Sequence, residues 1–362
     1  MKKSTLASYE KGFASLIILV LVLISVAVVG MYYFSPEEII TDRQSQSDTN
    51  VSLSDTQAPS LIPFLFPELT IPYLRNRTYE SSLGELSLYQ NNSAYTSYLT
   101  QYDSDGLKIN ALLTIPKSEM PDKGWPAIVF VHGYIPPTTY RTIENYNAYV
   151  DYFARNNFVV FKIDLRGHGD SEGIATGAYY SGDYVIDTLN AVAALQSNEL
   201  VNPDAIGLWG HSMAGNVTFR AFIASNEISS IVIWAGAVYT YEDMAEYRIQ
   251  DNSYRPPTDD TERQRFRDEL NAVHGSFNSD DDFWKQVVPT NYLESKTGSI
   301  QIHHATDDAV VNVGYSRNLL DVIAGSKINT TLHEYPTGGH NISGASFTTA
   351  MQRSVEFFRD TL

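Results

Sequence analysis

Apolar and polar positions follow two different rhythms along the chain after Arg75. Short continuous apolar runs, such as AIVFV and IVIW, are typical of strands that are covered on both faces. The segments between these runs carry apolar residues at helical spacing. The predicted strands span residues 108–115, 127–132, 159–163, 206–209, 231–234, 300–303 and 330–335, and the predicted helices span residues 143–156, 183–197, 214–224, 315–324 and 347–362. This alternation predicts an α/β fold whose sheet is mostly parallel and flanked by helices, with the first strand antiparallel at one edge.

One segment, at about residues 239–291, interrupts the alternation. It has no strand pattern, but residues 261–273 and 282–288 have the spacing of helices. It is also acidic, because residues 242–282 contain 12 Asp or Glu and 5 Arg. An insertion between two core strands predicts a helical lid over the ends of the sheet. The alternative is a solvated helical excursion that takes no part in recognition.

The N-terminal region contains a long apolar stretch. Residues 13–34 carry no charge, and ~20 apolar residues are enough for a helix to cross the hydrocarbon layer of a membrane. Lys2, Lys3 and Lys11 precede this stretch, so we expect a cytoplasmic N-terminus and an extracytoplasmic body. A cleaved signal peptide is the alternative, but its apolar core usually has ~7–15 residues and ends at an A-x-A-like site, and neither is seen.

These patterns divide the chain into three parts. Residues 1–34 are predicted to form a cytoplasmic tip and a single-pass transmembrane anchor. Residues 35–75 are predicted to form a polar, flexible stalk that ends in an extended, proline-rich strap on the surface of the body. Residues 76–362 are predicted to form the α/β body, with the lid inserted in it.

Charge and cysteine content exclude some classes of function. The formal net charge of −17 opposes binding to nucleic acid, because phosphates would be repelled. The chain contains no cysteine. Disulfides, thiolate nucleophiles and cysteine-ligated metal sites are therefore excluded, while the redox compartment stays open.

The segment IGLWGHSMAGN places Ser212 between a predicted strand and a predicted helix. A serine at such a sharp turn is typical of a nucleophile elbow, which requires small neighbours on both sides. Gly210 satisfies this requirement on one side, and Ala214 stands where a glycine is usual on the other. The alternative is a serine that merely caps the helix.

A nucleophilic serine needs a histidine base and a carboxylate that orients the base. Two later loops offer these groups, and each of them follows a predicted strand. SIQIHHATDDAVVNV carries Asp307 and Asp308, and LHEYPTGGHN carries His340. Because the carboxyl ends of parallel strands lie at one edge of the sheet, we expect these groups to meet Ser212 there.

His303 and His304, together with the two aspartates, are also possible ligands of a metal ion. Successive side chains of a strand point to opposite faces, so the two imidazoles cannot easily reach one ion. We therefore expect no metal and no cofactor.

Acyl transfer also requires hydrogen-bond donors for the oxyanion. The amide of Met213, directly after the nucleophile, is one candidate, and the amide of Tyr134 in the loop HGYIPP is the other. Gly133 would let that loop approach closely. We expect His132 to serve packing and hydrogen bonding, and the glycine-rich loop DLRGHGDSEG to form a wall of the cleft.

Residues from about 98 to 362 resemble the catalytic domain of the α/β-hydrolase superfamily, and most closely the prolyl oligopeptidase (S9) group with its acylaminoacyl and dipeptidyl peptidases. The motifs that carry the resemblance are VFVHGY, DLRGHGDSEG, GHSMAG, IHHATDDAVV and GGHN. The fourth is similar to the family pattern I-H-G-x-x-D-x-x-V-P, which implies that Asp307 is the acid. His304 replaces the glycine of that pattern, and Val311 replaces its proline.

The resemblance implies a serine hydrolase with the α/β-hydrolase fold that cleaves short peptides or acylated amino acids. It implies a catalytic triad of Ser212, Asp307 and His340, with the amides of Tyr134 and Met213 as the oxyanion hole. Carboxylic esters are the alternative substrates, since no acidic pair for a peptide amino terminus can be assigned and the preceding ~100 residues cannot form the β-propeller of the large peptidases. A non-catalytic surface-binding module is the second alternative.

Overall fold

The computed structural model describes residues 64–249 and 261–362. The predicted transmembrane anchor at residues 13–34 and most of the predicted stalk lie outside the described residues. None of the helices within the two described ranges is long and apolar enough to span a membrane.

The part of the chain that the structure describes contains one nine-stranded sheet. Its strands are β1 (Ser87–Asn91), β2 (Tyr95–Ser104), β3 (Leu107–Pro116), β4 (Trp125–Val131), β5 (Val159–Ile163), β6 (Val201–His211), β7 (Ser230–Trp234), β8 (Thr297–Ala305) and β9 (Lys327–Tyr335). Their order across the sheet is β1-β2-β3-β5-β4-β6-β7-β8-β9. Neighbouring strands within the run β5-β4-β6-β7-β8-β9 are parallel, whereas the pairs β1–β2, β2–β3 and β3–β5 are antiparallel.

The prediction of a mostly parallel sheet is confirmed. The first predicted strand is β3, which is antiparallel as expected but does not lie at the edge, because β1 and β2 extend the sheet beyond it. The sequence pattern missed these two strands for a physical reason. All five residues of β1 are exposed, and β2 alternates between buried and more exposed positions, so neither forms a continuous apolar run.

Nine α-helices are described around this sheet. They are α1 (Ile71–Asn76), α2 (Asn147–Arg155), α3 (Asp183–Gln196), α4 (Met213–Ala224), α5 (Glu242–Glu246), α6 (Thr261–His274), α7 (Asp282–Val287), α8 (Gly314–Ile323) and α9 (Ala345–Thr361). The buried side chains of α1, α3, α4 and α8 join one apolar core, and those of α2 and α9 join the other. Alternate residues of β4 enter each core, because the side chains of a strand alternate between its two faces.

The predicted strap is helical where the structure describes it, so the expectation of an extended segment is wrong there. Pro67–Leu69 forms a 3₁₀ turn and α1 follows directly. The prolines do not prevent this, because a proline in the first turn of a helix removes only an N–H that has no partner in the helix. The Thr70 hydroxyl accepts the Tyr73 N–H at 3.4 Å and caps the helix. Ile71 is fully buried in the core.

The insertion between β7 and β8 contains α5, α6 and α7, which confirms its predicted helical character. The buried side chains of α6 and α7 pack with Leu69 in a small apolar cluster of their own. The Nε2 of His274 in α6 donates a hydrogen bond to the carbonyl of Leu65 at 2.7 Å, and the imidazole stacks on Phe283. Leu65 and Leu69, which precede α1, therefore contact the helices of the insertion.

Candidate active site

Ser212 occupies a sharp turn between β6, which ends at His211, and α4, which begins at Met213. Its backbone has φ 55° and ψ −119°, a conformation that residues other than glycine rarely adopt. A Cβ at Gly210 would lie 2.6 Å from the Ala214 carbonyl oxygen, so only glycine fits there. The predicted elbow is therefore present.

A cavity of about 880 Å³ opens at this turn. Ser212, His340, Met213 and Tyr134 all line it, so the structure brings four of the five predicted site residues to one place. Met213 is the first residue of α4, where backbone N–H groups have no acceptor within the helix and the helix dipole is positive. The Ser212 hydroxyl makes no hydrogen bond to any residue that the structure describes. This is compatible with a nucleophile, because catalytic hydrogen bonds are often long before substrate binds.

The fifth predicted residue, Asp307, does not contact His340. The Nδ1 of His340 instead donates to the Oδ2 of Asp308 at 2.8 Å. The expected pairing of His340 with Asp307 is therefore wrong, because the turn after β8 aims the second of the two adjacent aspartates at the imidazole. The side chain of Asp308 is completely buried, as is typical of an orienting acid.

Asp307 holds the loop that carries His340. Its carboxylate accepts the N–H of Gly338 at 3.2 Å and that of Gly339 at 2.8 Å. Both glycines have positive φ, which lets the loop turn tightly before His340. The adjacent aspartates thus bind the same loop at two points, one at its backbone and one at its imidazole.

Asp308 receives three hydrogen bonds, one of them from His340, and also lies close to the imidazole of His304. The N–H groups of Val310 and Val311 donate to its Oδ1 at 2.8 and 3.0 Å. The Nε2 of His304 lies 2.9 Å from the Val311 carbonyl and 3.2 Å from Asp308 Oδ2, so it carries the proton. Burial by itself raises the pKa of Asp308, but interactions with His304 and His340 outweigh burial and hold this pKa well below its usual value.

His304 is a site residue whose role the sequence did not show. It stands where the resembled family pattern has glycine, and this departure from the pattern is the sequence feature that marks position 304 as unusual. Its Nδ1 accepts a hydrogen bond from the Ser316 hydroxyl at 2.7 Å, which fixes the ring with Nε2 toward Asp308.

His211, the residue before the nucleophile, joins two loops of the site. Its Nε2 lies 3.0 Å from the carbonyl of His340 and must donate to it. Its Nδ1 is then unprotonated and accepts the Tyr146 hydroxyl at 2.7 Å. The oxygen of that hydroxyl accepts the N–H of Gly133 at 2.9 Å. Burial, followed by the nearby His340, lowers the pKa of His211 to about 3, so this neutral tautomer persists at physiological pH.

The close approach predicted at Gly133 is confirmed. A Cβ there would lie 2.7 Å from the Tyr146 hydroxyl and 3.0 Å from His211 Nδ1. His132 serves packing and hydrogen bonding, as expected. It is fully buried, and its two ring nitrogens lie 2.7 Å from the Gly133 carbonyl and 3.2 Å from the Leu165 N–H.

The glycine-rich loop at residues 164–173 does not line the cavity, contrary to the expectation that it forms a wall. Its Arg166 points into the protein instead, with Nη2 2.6 Å from Asp187 and Nη1 3.0 Å from Asp183. The wall is formed by the segment after it, at residues 176–180.

The described lining of the cavity is rich in tyrosine and carries positive charge. Five tyrosines line it, at positions 134, 146, 149, 179 and 180. Arg248 and Arg267 of the lid also line it. None of the described lining residues is an aspartate or glutamate, although the chain contains 42 of them.

The adjacent histidines of β8 have separate partners. His303 contacts Tyr335, Gln301 and Ser354, whereas His304 contacts Ser316 and Asp308 on the other face of the sheet. Over residues 64–249 and 261–362, no group of three or more His, Cys, Asp or Glu side chains is arranged to hold a metal ion.

Two family models match the chain. One, described as serine aminopeptidase, S33, matches residues 125–252, and the other, described as the C-terminal region of BAAT and acyl-CoA thioester hydrolases, matches residues 189–359. Thiohydrolase aneE of Aspergillus aculeatus is 28% identical over 128 residues, which are 35% of this chain and 37% of that protein. The chain thus matches little more than a third of the length of this relative.

Solved structures share the fold at low sequence identity. Acetyl xylan esterase 1 from Thermoanaerobacterium sp. is 18% identical with a TM-score of 0.56, over 79% of this chain and 90% of the esterase. Dipeptidyl peptidase 4 of Porphyromonas gingivalis is 19% identical with a TM-score of 0.55, over 74% of this chain and 36% of the peptidase. These comparisons confirm the predicted α/β-hydrolase fold, and the structures that share it include both esterases and peptidases. The chain has the α/β-hydrolase fold, and two segments of it match models of hydrolase families.

Proposed function

We propose that the chain hydrolyses acyl esters through a triad of Ser212, His340 and Asp308, with the amides of Met213 and Tyr134 as the oxyanion hole. The observation that carries this proposal is the hydrogen bond from His340 Nδ1 to Asp308 in a cavity that Ser212 lines. Because Nδ1 holds its proton toward Asp308, the Nε2 of the neutral ring is free of a proton and can act as the base.

The reaction follows from this arrangement. The Ser212 Oγ attacks the carbonyl carbon of the substrate while its proton passes to His340 Nε2, and the carbonyl electron pair moves onto oxygen. The tetrahedral intermediate then breaks its bond to the leaving group, which takes the proton from His340. A water molecule, deprotonated by His340, attacks the acyl-enzyme and releases the acid and Ser212. Asp308 stays ionised and stabilises the imidazolium in both steps.

The lining of the cavity favours esters over peptides with a free amino terminus. An ammonium group that leaves water requires a carboxylate partner. No described lining residue offers one, and two arginines would repel it. Thioesters, and amino acids whose amine is acylated, carry no such charge and are compatible with the same lining.

Three chromogenic substrates test this order of preference. We expect p-nitrophenyl butyrate to be hydrolysed, N-acetylalanyl p-nitroanilide to be cleaved more slowly, and alanyl p-nitroanilide to be left intact. Ser212→Ala should lower kcat for the ester by at least about 10³-fold. A higher kcat/KM for alanyl p-nitroanilide than for the ester would show an aminopeptidase instead.

The anchor belongs to the same proposal. We infer that residues 13–34 hold the hydrolase to a membrane with its catalytic domain outside the cytoplasm, on the strength of their length and their basic flank. The full chain should stay in the membrane fraction after an alkaline wash, and a variant without residues 1–34 should be released. A full chain that is released by the wash would contradict the anchor.

A further inference from the structure

Among the described residues of the lid, the charged ones that line the cavity are all positive. Acidic residues outnumber arginines among the lid residues whose side chains are described. The lid residues that line the cavity, among those whose side chains the structure describes, nevertheless include no acid and are Met244, Arg248, Ile249, Gln264 and Arg267. The described acidic side chains of the lid therefore lie outside the lining, whereas two of its three described arginines, Arg248 and Arg267, belong to it.

The charged residues of helix α6 differ in their position relative to the cavity. Gln264 and Arg267 are three residues apart, so they lie on one face of the helix, and both line the cavity. Arg265 lies outside the lining and pairs with Glu269 at 3.5 Å. Among the described residues, Arg267 pairs with its exposed neighbour Asp268, at 3.1 Å. Such exposed pairs are weak, so the guanidinium can exchange this partner for a substrate group.

The backbone segment that carries Arg248 is connected to the body of the protein on both sides of this residue. It follows α5, whose Asp243 accepts a hydrogen bond at 2.5 Å from Asn318 of α8. The next residue, Ile249, forms an antiparallel bridge with Val311. The N–H of Val311 itself donates to Asp308, so the segment that carries Arg248 is joined to the loop that carries the triad acid.

We propose that the preferred substrate carries a carboxylate, and that Arg248 and Arg267 bind this group while the scissile carbonyl lies at Ser212. This inference rests on the proposed function. A guanidinium offers paired N–H donors that match the two oxygens of a carboxylate. The tyrosine-rich wall suits the apolar remainder of such a substrate. The net charge of −17 would otherwise repel an anion, and the two arginines reverse the field locally.

Two matched pairs of esters test the proposal and distinguish the two possible positions of the carboxylate. Mono-p-nitrophenyl succinate and its methyl ester differ by a charge on the acyl side, and 4-acetoxybenzoate and its methyl ester differ by a charge on the leaving group. Each is assayed with the wild type, Arg248→Gln, Arg267→Gln and the double variant. Arg265→Gln is the matched control on the same helix.

Loss of a hydrogen bond to a charged group predicts a rise in KM of roughly tenfold for the charged ester of one pair in either cavity variant, and more in the double variant. The KM of the neutral esters should stay unchanged, which also shows that the variants fold, and Arg265→Gln should resemble the wild type. The pair that responds identifies the side of the substrate that carries the carboxylate. Equal KM changes for charged and neutral esters, or none for either pair, would overturn the proposal. Failure of the proposed function is a separate outcome, because the wild type would then hydrolyse the neutral esters no faster than Ser212→Ala does.

Discussion

The Nδ1 of His340 donates to the Oδ2 of Asp308 at 2.8 Å, while Asp307 binds the backbone of the same loop. This division of labour predicts different results for two matched substitutions. Asp308→Asn presents an amide donor to Nδ1 and favours the wrong tautomer, so kcat for an ester should fall by about 10³- to 10⁴-fold.

Asp307→Asn serves as the comparison. It keeps one oxygen for the N–H groups of Gly338 and Gly339, so kcat should fall by no more than about tenfold and the unfolding free energy by about 1 kcal/mol. Both variants are assayed for kcat and for unfolding in urea. A larger loss of kcat in Asp307→Asn than in Asp308→Asn would contradict the assignment of the acid.

The Tyr146 hydroxyl links the Gly133 loop to His211, and through it to the His340 loop. Tyr146→Phe leaves a buried N–H and a buried ring nitrogen without partners, so it should lower the unfolding free energy by about 1–3 kcal/mol. It should also lower kcat more than it changes KM, because the two connected loops carry Tyr134 of the proposed oxyanion hole and His340 of the proposed triad. Tyr152→Phe, in helix α2, which begins directly after Tyr146, but outside the cavity lining, should have little effect on either. Equal effects of the two substitutions would remove this role of Tyr146.

The strained turn at Ser212 depends on Gly210. In Gly210→Ala the new methyl would lie 2.6 Å from the Ala214 carbonyl and 2.7 Å from Thr218 Cγ2, so we expect lower stability, by about 1–3 kcal/mol, and a large loss of kcat. Ala214→Gly introduces the residue that is usual at that position and should keep activity, at a cost of about 1 kcal/mol for glycine in a helix. Thermal unfolding and ester hydrolysis measure both, and an active Gly210→Ala would contradict the steric account.

Buried neutral histidines make the fold sensitive to acid. Burial lowers the pKa of His132 and of His303 well below the usual value and that of His211 to about 3. As pH falls below ~6.5 the unfolded chain binds these protons first, so stability decreases by up to about 1.4 kcal/mol per pH unit for each histidine. Burial raises the pKa of Asp164 to about 6, which has the opposite sign and offsets one histidine. The unfolding free energy in urea should therefore fall between pH 6.5 and 4, and a constant value over that range would contradict this balance.

How much the sequence could predict depended on how local each feature is. The residues that predict the elbow at Ser212 are adjacent in one short segment, IGLWGHSMAGN, so the sequence alone predicts this turn. The choice between two adjacent aspartates depends on the direction of a turn, which spacing does not encode. The contact between Tyr146 and His211 joins residues 65 positions apart, so it follows only from the packing of α2 against the sheet.

Covalent labelling of Ser212 is the most direct test of the central claim. A fluorophosphonate probe reacts with a serine only when a histidine base and an oxyanion hole activate its hydroxyl. Incubation of the full chain with the probe, followed by mass mapping of peptides, should find the adduct on Ser212. Labelling should be lost in Ser212→Ala and should be slowed in Asp308→Asn far more than in Asp307→Asn. A wild-type chain that stays unlabelled, or an adduct on another residue, would contradict the proposed mechanism.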